Sequence, residues 1–518
     1  MGNPFSKFVH LYHPIVNNIH SGIKTFNLAI GRKRKRREDS DSDLSDSEVI
    51  EIPSTKKFKL DGTLNYVYKT LYLEGKDSDI LVIALDKLWK LHKVYLCQSP
   101  YFESMFSGSW RESNDRVVRI EICDPNITQN SLHVVFGCLY LHEMTFEAVS
   151  PIEVLATASH FQLEYLIDQC ASYMIETISI KTVVDYYEAS LKYGVAVVRD
   201  KCFNWMLNNL TRFCSKSTHA VPALHALRSI SVDLMEQLVD NSKFLFTGTE
   251  SMIVQLLVTW VAVQLNPDWT GSLQTVDQKM IPRDESGEAF LLTDTGQQYA
   301  PAFKALRLKH LTRLSFFYKN LLSDNIIPTS WLEPHIIENW SKLLSVYGGY
   351  ETGPSPNSVP EEVFERESMR FGRSLPDATN QYVWKWFPFS FGIGVYWDWL
   401  LGKLTVSRMS HNATQSNRIV NMVEKWKLML RVSVYCSNPK GELVFVSTSG
   451  IQSVVLNIDA SEVDLGLGVD KRVFKTKNIP IYEVSEIEEA IDDSILKICK
   501  EEEDYVSKGS GWTLSVVK

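Results

Sequence analysis

Three short stretches near the N-terminus of this 518-residue chain hold residues whose types and spacing could support chemistry. The opening MGNPFS fits M-G-x-x-x-[ST], in which loss of Met1 frees the Gly2 amine to form an amide with a fatty acid, and Ser6 stands at the required position. Next, GRKRKRRE carries Arg32, Lys33, Arg34, Lys35, Arg36 and Arg37, a cluster of the nuclear-import type that could equally bind acidic lipid or RNA loosely. Then SDSDLSDSE sets Ser40, Ser42, Ser45 and Ser47 among acids, as acid-directed kinases prefer. Phosphates there would lie beside the basic run and mask it. One acyl chain holds a membrane only marginally, so Gly2 needs a second signal. The basic cluster and an apolar stretch from Phe5 to Phe26, broken at Pro14, both offer one.

Catalytic chemistry is not legible. The chain has no P-loop, no G-x-S-x-G, no H-E-x-x-H and no Cys/His zinc pattern. FGIGVYW has a G-x-G but neither a third glycine nor a following helix. The expectation is a non-catalytic protein without a cofactor or metal. Its eight cysteines form no C-x-x-C and read as reduced, packed thiols.

The elements that would position these stretches follow from composition and pattern. Hydrophobic content of 44%, charged content of 22% and a net charge of −8 fit a soluble globular protein and argue against one that coats nucleic acid. No secretory leader or membrane span is evident, which implies an intracellular protein. Residues 1–37 hold eight Lys and Arg and no acid, whereas the next fourteen hold seven Asp and Glu, as expected of a regulated, disordered tail. From Leu64 the pattern becomes globular. LNYVYKTLYL reads as a helix, SDILVIALDKLWKLHKVYL as β-runs around a polar turn, SPYFESMFSG as a short helix and RVVRIEI as a strand. Residues 128–142 and 151–177 read as helices, and every clear element from 178 to about 345 is helical. Residues 265–300 look like a long polar loop, and GGYETGPSPNSVPEE marks a linker. Beyond it, the aromatic run at 381–399, the hairpin around NPKG, IQSVVLNIDA and GWTLSVVK indicate a β-rich domain.

Several of these segments resemble a BTB (POZ) domain in order and spacing: SDI at Ser78–Ile80, LHKVYL at Leu91–Leu96, QSPYFESMFSG, VVRIEI, VFGCLYLHEMTF and LATASHFQLEYLIDQCASYM. The helical part that follows is similar to a BACK domain through TESMIVQLLVTW and FKALRLKHLTRLS, while a kelch propeller is absent. The whole arrangement, including the basic tail, LWKLHKVYL, WRE and the Trp-rich C-terminal part, resembles the germ cell-less family. The resulting fold class is multidomain: a disordered tail (1–62), an α+β BTB domain (63–177), an all-α BACK-like domain (178–346), a linker (347–362) and a β-rich C-terminal domain (363–518).

The resemblance implies an adaptor that dimerises through its BTB domain, recruits cullin-3 into a RING ubiquitin ligase, and holds a substrate with its C-terminal domain. It further implies a place at the nuclear envelope, contact with lamina proteins and a role in germ cell formation. Trp110-Arg111-Glu112 matches the family's hydrophobic-x-Glu cullin motif, with Met105 and Phe106 on the preceding helix. Trp departs from the commoner Met, Leu or Phe; it would bury a large apolar area while Glu112 fixes orientation. Asp79 and Lys93 align with a charged pair at the base of the dimer cleft. Tyr66, Val67, Leu71 and Tyr72 offer a self-complementary apolar face, or else pack within one protomer. For the substrate, Arg370, Arg373, Trp384, Trp386, Trp397 and Trp399 are the candidates by composition, although a Trp in a β-domain is as readily core. The alternative is a scaffold at the nuclear envelope, or a transcription-linked protein, that uses its BTB domain without recruiting a cullin.

Overall fold

A computed structural model describes residues 62, 66–107, 115–141, 150–214, 220–271, 273, 276, 278–282, 287–312, 321–347, 359–375, 381–389, 393–400, 403–408, 425–438, 440, 442–457, 463–467 and 510–517. The tail readings at Gly2, Arg32 to Arg37 and Ser40 to Ser47 lie outside the described residues, as does Trp110-Arg111-Glu112. Asp61–Lys518 form one compact unit.

The first helix, α1 (Val67–Leu73), is not the α-helix its pattern suggests but a π-helical segment, closed by a bond from Glu74 N–H to the Lys69 carbonyl. Tyr68 and Tyr72 pack as a pair, their ring centroids 5.4 Å apart. After α1, alternation of apolar residues makes β1 (Ile80–Ala84) and β2 (Lys87–Leu91) an antiparallel hairpin with Ile80 opposite Leu91. Leu85 and Asp86 form its two-residue turn with φ of 46° and 59°, both left-handed as a type I′ turn requires. Gln129 Nε2 holds this turn by donating to the Leu85 carbonyl at 2.8 Å. The short helix α2 (Lys93–Leu96) and α3 (Pro100–Ser107) lead to β3 (Val117–Ile120), which pairs parallel with β1 and completes the order β2-β1-β3.

Helices α4 (Gln129–Cys138), α5 (Pro151–His160) and α6 (Glu164–Glu176) close the α+β part. Thr128 caps α4: its hydroxyl accepts from Ser131 N–H at 3.0 Å while Ser131 Oγ accepts from Thr128 N–H at 2.9 Å. The next helices are α7 (Val183–Tyr193), α8 (Ala196–Cys214), α9 (Ala220–Ser229), α10 (Val232–Asp240) and α11 (Glu250–Leu265). Gly194 ends α7 with φ of 74°, a conformation that disfavours side chains with a Cβ. Lys192 and Tyr193 at that end donate to Asp124 at 2.7 and 3.0 Å and tie the helices to the segment after β3. Helix α11 is mostly apolar and mostly buried, with Trp260 fully enclosed and Met252 and Gln255 on its exposed side.

Residues 265–300 differ from the expected polar loop. Short 3₁₀ turns at Phe290–Leu292 and Gln297–Tyr299 bury Phe290, Leu291 and Tyr299 in the main core. The turns hide because apolar residues in them are too few to set a period. Beyond lie α12 (Ala300–Lys304), α13 (Leu308–Leu311), α14 (Thr329–Tyr347) and α15 (Glu361–Glu367). The last of these begins inside the expected linker. Glu361 and Glu362 complement the positive helix start, and Phe364 is fully buried.

The C-terminal part is a β-sandwich. One sheet has the order β10-β8-β12-β4, built from β10 (Gln452–Asn457), β8 (Lys425–Ser437), β12 (Ser510–Val517) and β4 (Met369–Leu375), with β9 (Leu443–Thr448) also paired to β8. The other runs β11-β7-β6-β5, from β11 (Val463–Asp464), β7 (Lys403–Arg408), β6 (Ile393–Leu400) and β5 (Tyr382–Phe389). Val395, Trp397 and Trp399 alternate on β6 and meet Phe371, Leu430 and Val432 in a core between the sheets. Strand β8 starts six residues before the Arg431 from which its pattern reads as β.

Candidate functional site

The surface that could bind a partner is assembled around α2 and α3. Asp79 sits one residue before β1, and its Oδ1 accepts from the Lys93 backbone N–H at 2.8 Å, capping the start of α2. The two residues therefore meet through the main chain of Lys93. Its Nζ stands 5.0 Å over the Phe106 ring. Between them His92 is buried and satisfied at both ring nitrogens: Nε2 donates to the Lys76 carbonyl at 2.9 Å, and Nδ1 accepts from the Tyr140 hydroxyl at 3.1 Å. With both ring nitrogens engaged inside the domain, His92 is a structural residue.

Helix α3 is anchored from below and open above. Ser99 Oγ donates to the Phe161 carbonyl at 2.5 Å, and Phe102 is fully buried against Phe161 and Phe136. Truncating such a Phe costs about 3–5 kcal/mol. One turn on, Met105 and Phe106 are half-buried at the rim of this core, with Phe106 stacked on Phe102 at 5.9 Å. They are the last large side chains before the Trp110-Arg111-Glu112 stretch.

The α1 face divides. Tyr66 is 54% exposed, while Val67 and Leu71 are half-buried against the core. Tyr72 points inward, which corrects its assignment to a dimer face. Its ring stacks on His133, and its hydroxyl donates to the His133 carbonyl, because the apolar body and polar tip of a Tyr are both satisfied there. Leu73 on α1 is likewise exposed at 51%, as is Val94 of α2 at 74%. Neither Leu73 nor Val94 stood out in the sequence, where only their apolar character was readable.

A second correction concerns the C-terminal domain. Arg370, Trp397 and Trp399 are buried, so none presents a surface to a substrate. The two Trp residues alternate on β6 toward the sandwich core, and Arg370 is consumed by partners inside the chain. Arg373 is half-buried on β4. Trp384 and Trp386 lie on β5 opposite Trp397 and Val395, but their side chains are outside the described residues. Among the described residues here, the exposed large apolar side chains are Val383, Leu400, Val455 and, adjacent on β9, Val444 and Phe445.

Reactive groups are muted. Burial pushes the thiols of Cys170, Cys202 and Cys214 up to about 12, so they remain protonated and unreactive at neutral pH. Among the described residues no group of three His, Cys, Asp or Glu is placed to hold a metal ion, and no helix is long and apolar enough to cross a membrane.

Fold and surface together define a BTB-domain protein: the BTB/POZ family model matches residues 68–178. The remainder of the chain narrows this. It is 36% identical over 468 residues to Protein germ cell-less of Drosophila melanogaster, covering 85% of this chain and 80% of that protein. It is 33% identical over 440 residues to Germ cell-less protein-like 1 of Homo sapiens, covering 84% and 82%. The chain belongs to the germ cell-less family. A shorter likeness, 31% over 195 residues, links 37% of it to 30% of Kelch repeat and BTB domain-containing protein 8 of Danio rerio.

Proposed function

We propose that this protein is a non-catalytic, homodimeric adaptor that brings a substrate to a cullin-3 RING ubiquitin ligase, working at the nuclear envelope in germ cell development. The observation that supports this best is α3 itself. Phe102 pins the helix to the BTB core and leaves Met105 and Phe106 at the rim, immediately ahead of Trp110-Arg111-Glu112. A cullin helix laid there would gain apolar contact from Met105, Phe106 and Trp110 and an oriented hydrogen-bond acceptor from Glu112. Dimerisation falls to the exposed part of α1, Tyr66 and Leu73. Substrate binding falls to the sandwich, where Arg373, Val444 and Phe445 replace the buried candidates. The tail supplies location through an acyl group on Gly2 and the basic cluster, and phosphates on the neighbouring serines mask that cluster.

Co-precipitation from cells tests the adaptor reading. Wild type brings down cullin-3, and Trp110→Ala with Glu112→Ala does not. Equal recovery with the double variant, or no recovery with wild type, removes the mechanism.

A further inference from the structure

Two apolar cores exist among the described residues, and they do not merge. One runs through the BTB domain and the helices, the other fills the sandwich. Where helices and sandwich meet, a buried polar network joins them, with Phe246 and Phe364 packed against the guanidinium groups of Arg370 and Arg431. Glu250, the first residue of α11, is buried with its carboxylate facing Arg370 of β4: Oε1 accepts from Nη2 at 2.6 Å and Oε2 from Nε at 3.2 Å. Arg370 Nη1 donates to the Val239 and Asn241 carbonyls at 2.8 and 3.0 Å, the end of α10. Glu250 Oε1 also accepts from the Arg307 backbone N–H at 3.0 Å. The Arg307 guanidinium donates to Ser368 Oγ at 3.0 Å and to the Ser368 and Glu365 carbonyls. Gly248 and Gly372 exchange backbone bonds at 2.8 and 3.0 Å beside this network.

Each charge sits where the helix ends favour it, a carboxylate at the start of α11 and a guanidinium at the end of α10. Nearby, Lys309 pairs with Glu367 at 2.7 Å, and Arg431 with Glu365 at 2.8 Å. A second polar anchor joins the β8–β9 hairpin to α8: Trp205 Nε1 donates to Glu442 at 2.8 Å, and Asn209 accepts from Leu443 N–H at 2.6 Å.

We infer that the buried Glu250–Arg370–Arg307 network is an orientation latch, holding the sandwich at one fixed angle to the BTB-bearing helices so that whatever each end binds stands at a set separation. Apolar contact is non-directional, and a sliding interface satisfies it almost as well as a fixed one. A forked guanidinium–carboxylate pair has one planar geometry, and burial makes every other arrangement leave a charge unpaired. Buried pairs add little stability over apolar replacements, so the property this pair supplies is register. The inference does not depend on what the protein recruits.

Hydrogen exchange of the full-length chain tests it with Glu250→Gln and, as a second variant, Arg370→Lys, which keeps the charge but loses the fork. In both, residues 361–375 and 239–250 are expected to exchange about tenfold faster or more. Residues 428–434 inside the sandwich and 80–91 in the BTB sheet keep the wild-type rate. Unchanged exchange at 361–375 in both variants overturns the latch. So does a uniform rise across sandwich and helices, or loss of folding in both variants, because the network is then part of one shared fold.

Discussion

Glu250 and Arg370, 120 residues apart in sequence, form a buried two-point ion pair at 2.6 and 3.2 Å that joins the first turn of α11 to β4. Removing one partner leaves the other charge buried and unpaired. Glu250→Ala is therefore expected to weaken the junction between α11 and β4 by about 3–5 kcal/mol, read as faster hydrogen exchange at residues 361–375, whereas Glu250→Leu with Arg370→Met recovers most of the loss. Burial opposes the charge on Glu250, but Arg370, and then Arg307, outweigh it and hold the carboxyl below its ordinary value of 4.5. A depressed folded-state pKa contributes stability that is complete above the ordinary value and lost as pH falls through the folded one. Wild type should thus lose this contribution only in acid, and the double apolar variant should show a flatter acid limb in the same titration.

The aromatic wedge under α1 gives a second expectation. A Cβ on Gly137 of α4 would stand 3.1 Å from Tyr72 Cε1 and 3.2 Å from Tyr68 Cε2. Tyr72 is held by His133 and Tyr140 and cannot yield freely. Gly137→Ala gains about 1 kcal/mol of helix propensity, yet overpacking costs about 1–3 kcal/mol. The sum should be destabilising, and thermal unfolding measures its sign.

These cases mark what the residues disclosed in advance. Alternation revealed β1, β2 and the sandwich strands, and the 3.6 period revealed most helices, because both depend on neighbours in the chain. Arg370 read as a binding residue because Arg and aromatic residues dominate binding hot spots; its partner Glu250 belongs to a helix 120 positions earlier, and no local pattern links them. Trp397 and Trp399, two residues apart on one strand, share a face, but which face is covered depends on the opposite sheet. Tyr72 lies within an apolar run on α1, and only contact with His133 and Tyr140 decides that it turns inward.

At the dimer face, exposure separates two kinds of substitution. Tyr66→Glu with Leu73→Glu places charges on an open surface and should leave the folded circular dichroism spectrum unchanged. If the α1 face joins protomers, light scattering of this variant reports a monomer, against a dimer for wild type. A variant that remains dimeric moves the interface elsewhere.

For the tail, Gly2→Ala should prevent acylation and reduce the membrane-bound fraction in vesicle flotation without altering cullin-3 recovery. A single acyl chain binds with an association constant of only about 10⁴ M⁻¹, so the loss should be largest when Arg32 to Arg37 are also neutralised. An unchanged membrane fraction after Gly2→Ala assigns location to the basic cluster alone.

The adaptor account is tested most directly by calorimetric titration of the full-length protein with the cullin-3 N-terminal domain. The account predicts saturable binding at one cullin per protomer, weakened at least tenfold by Trp110→Ala, as about 2 kcal/mol or more at a central aromatic contact requires. No heat of binding with wild type, or equal affinity for wild type and Trp110→Ala, would contradict it.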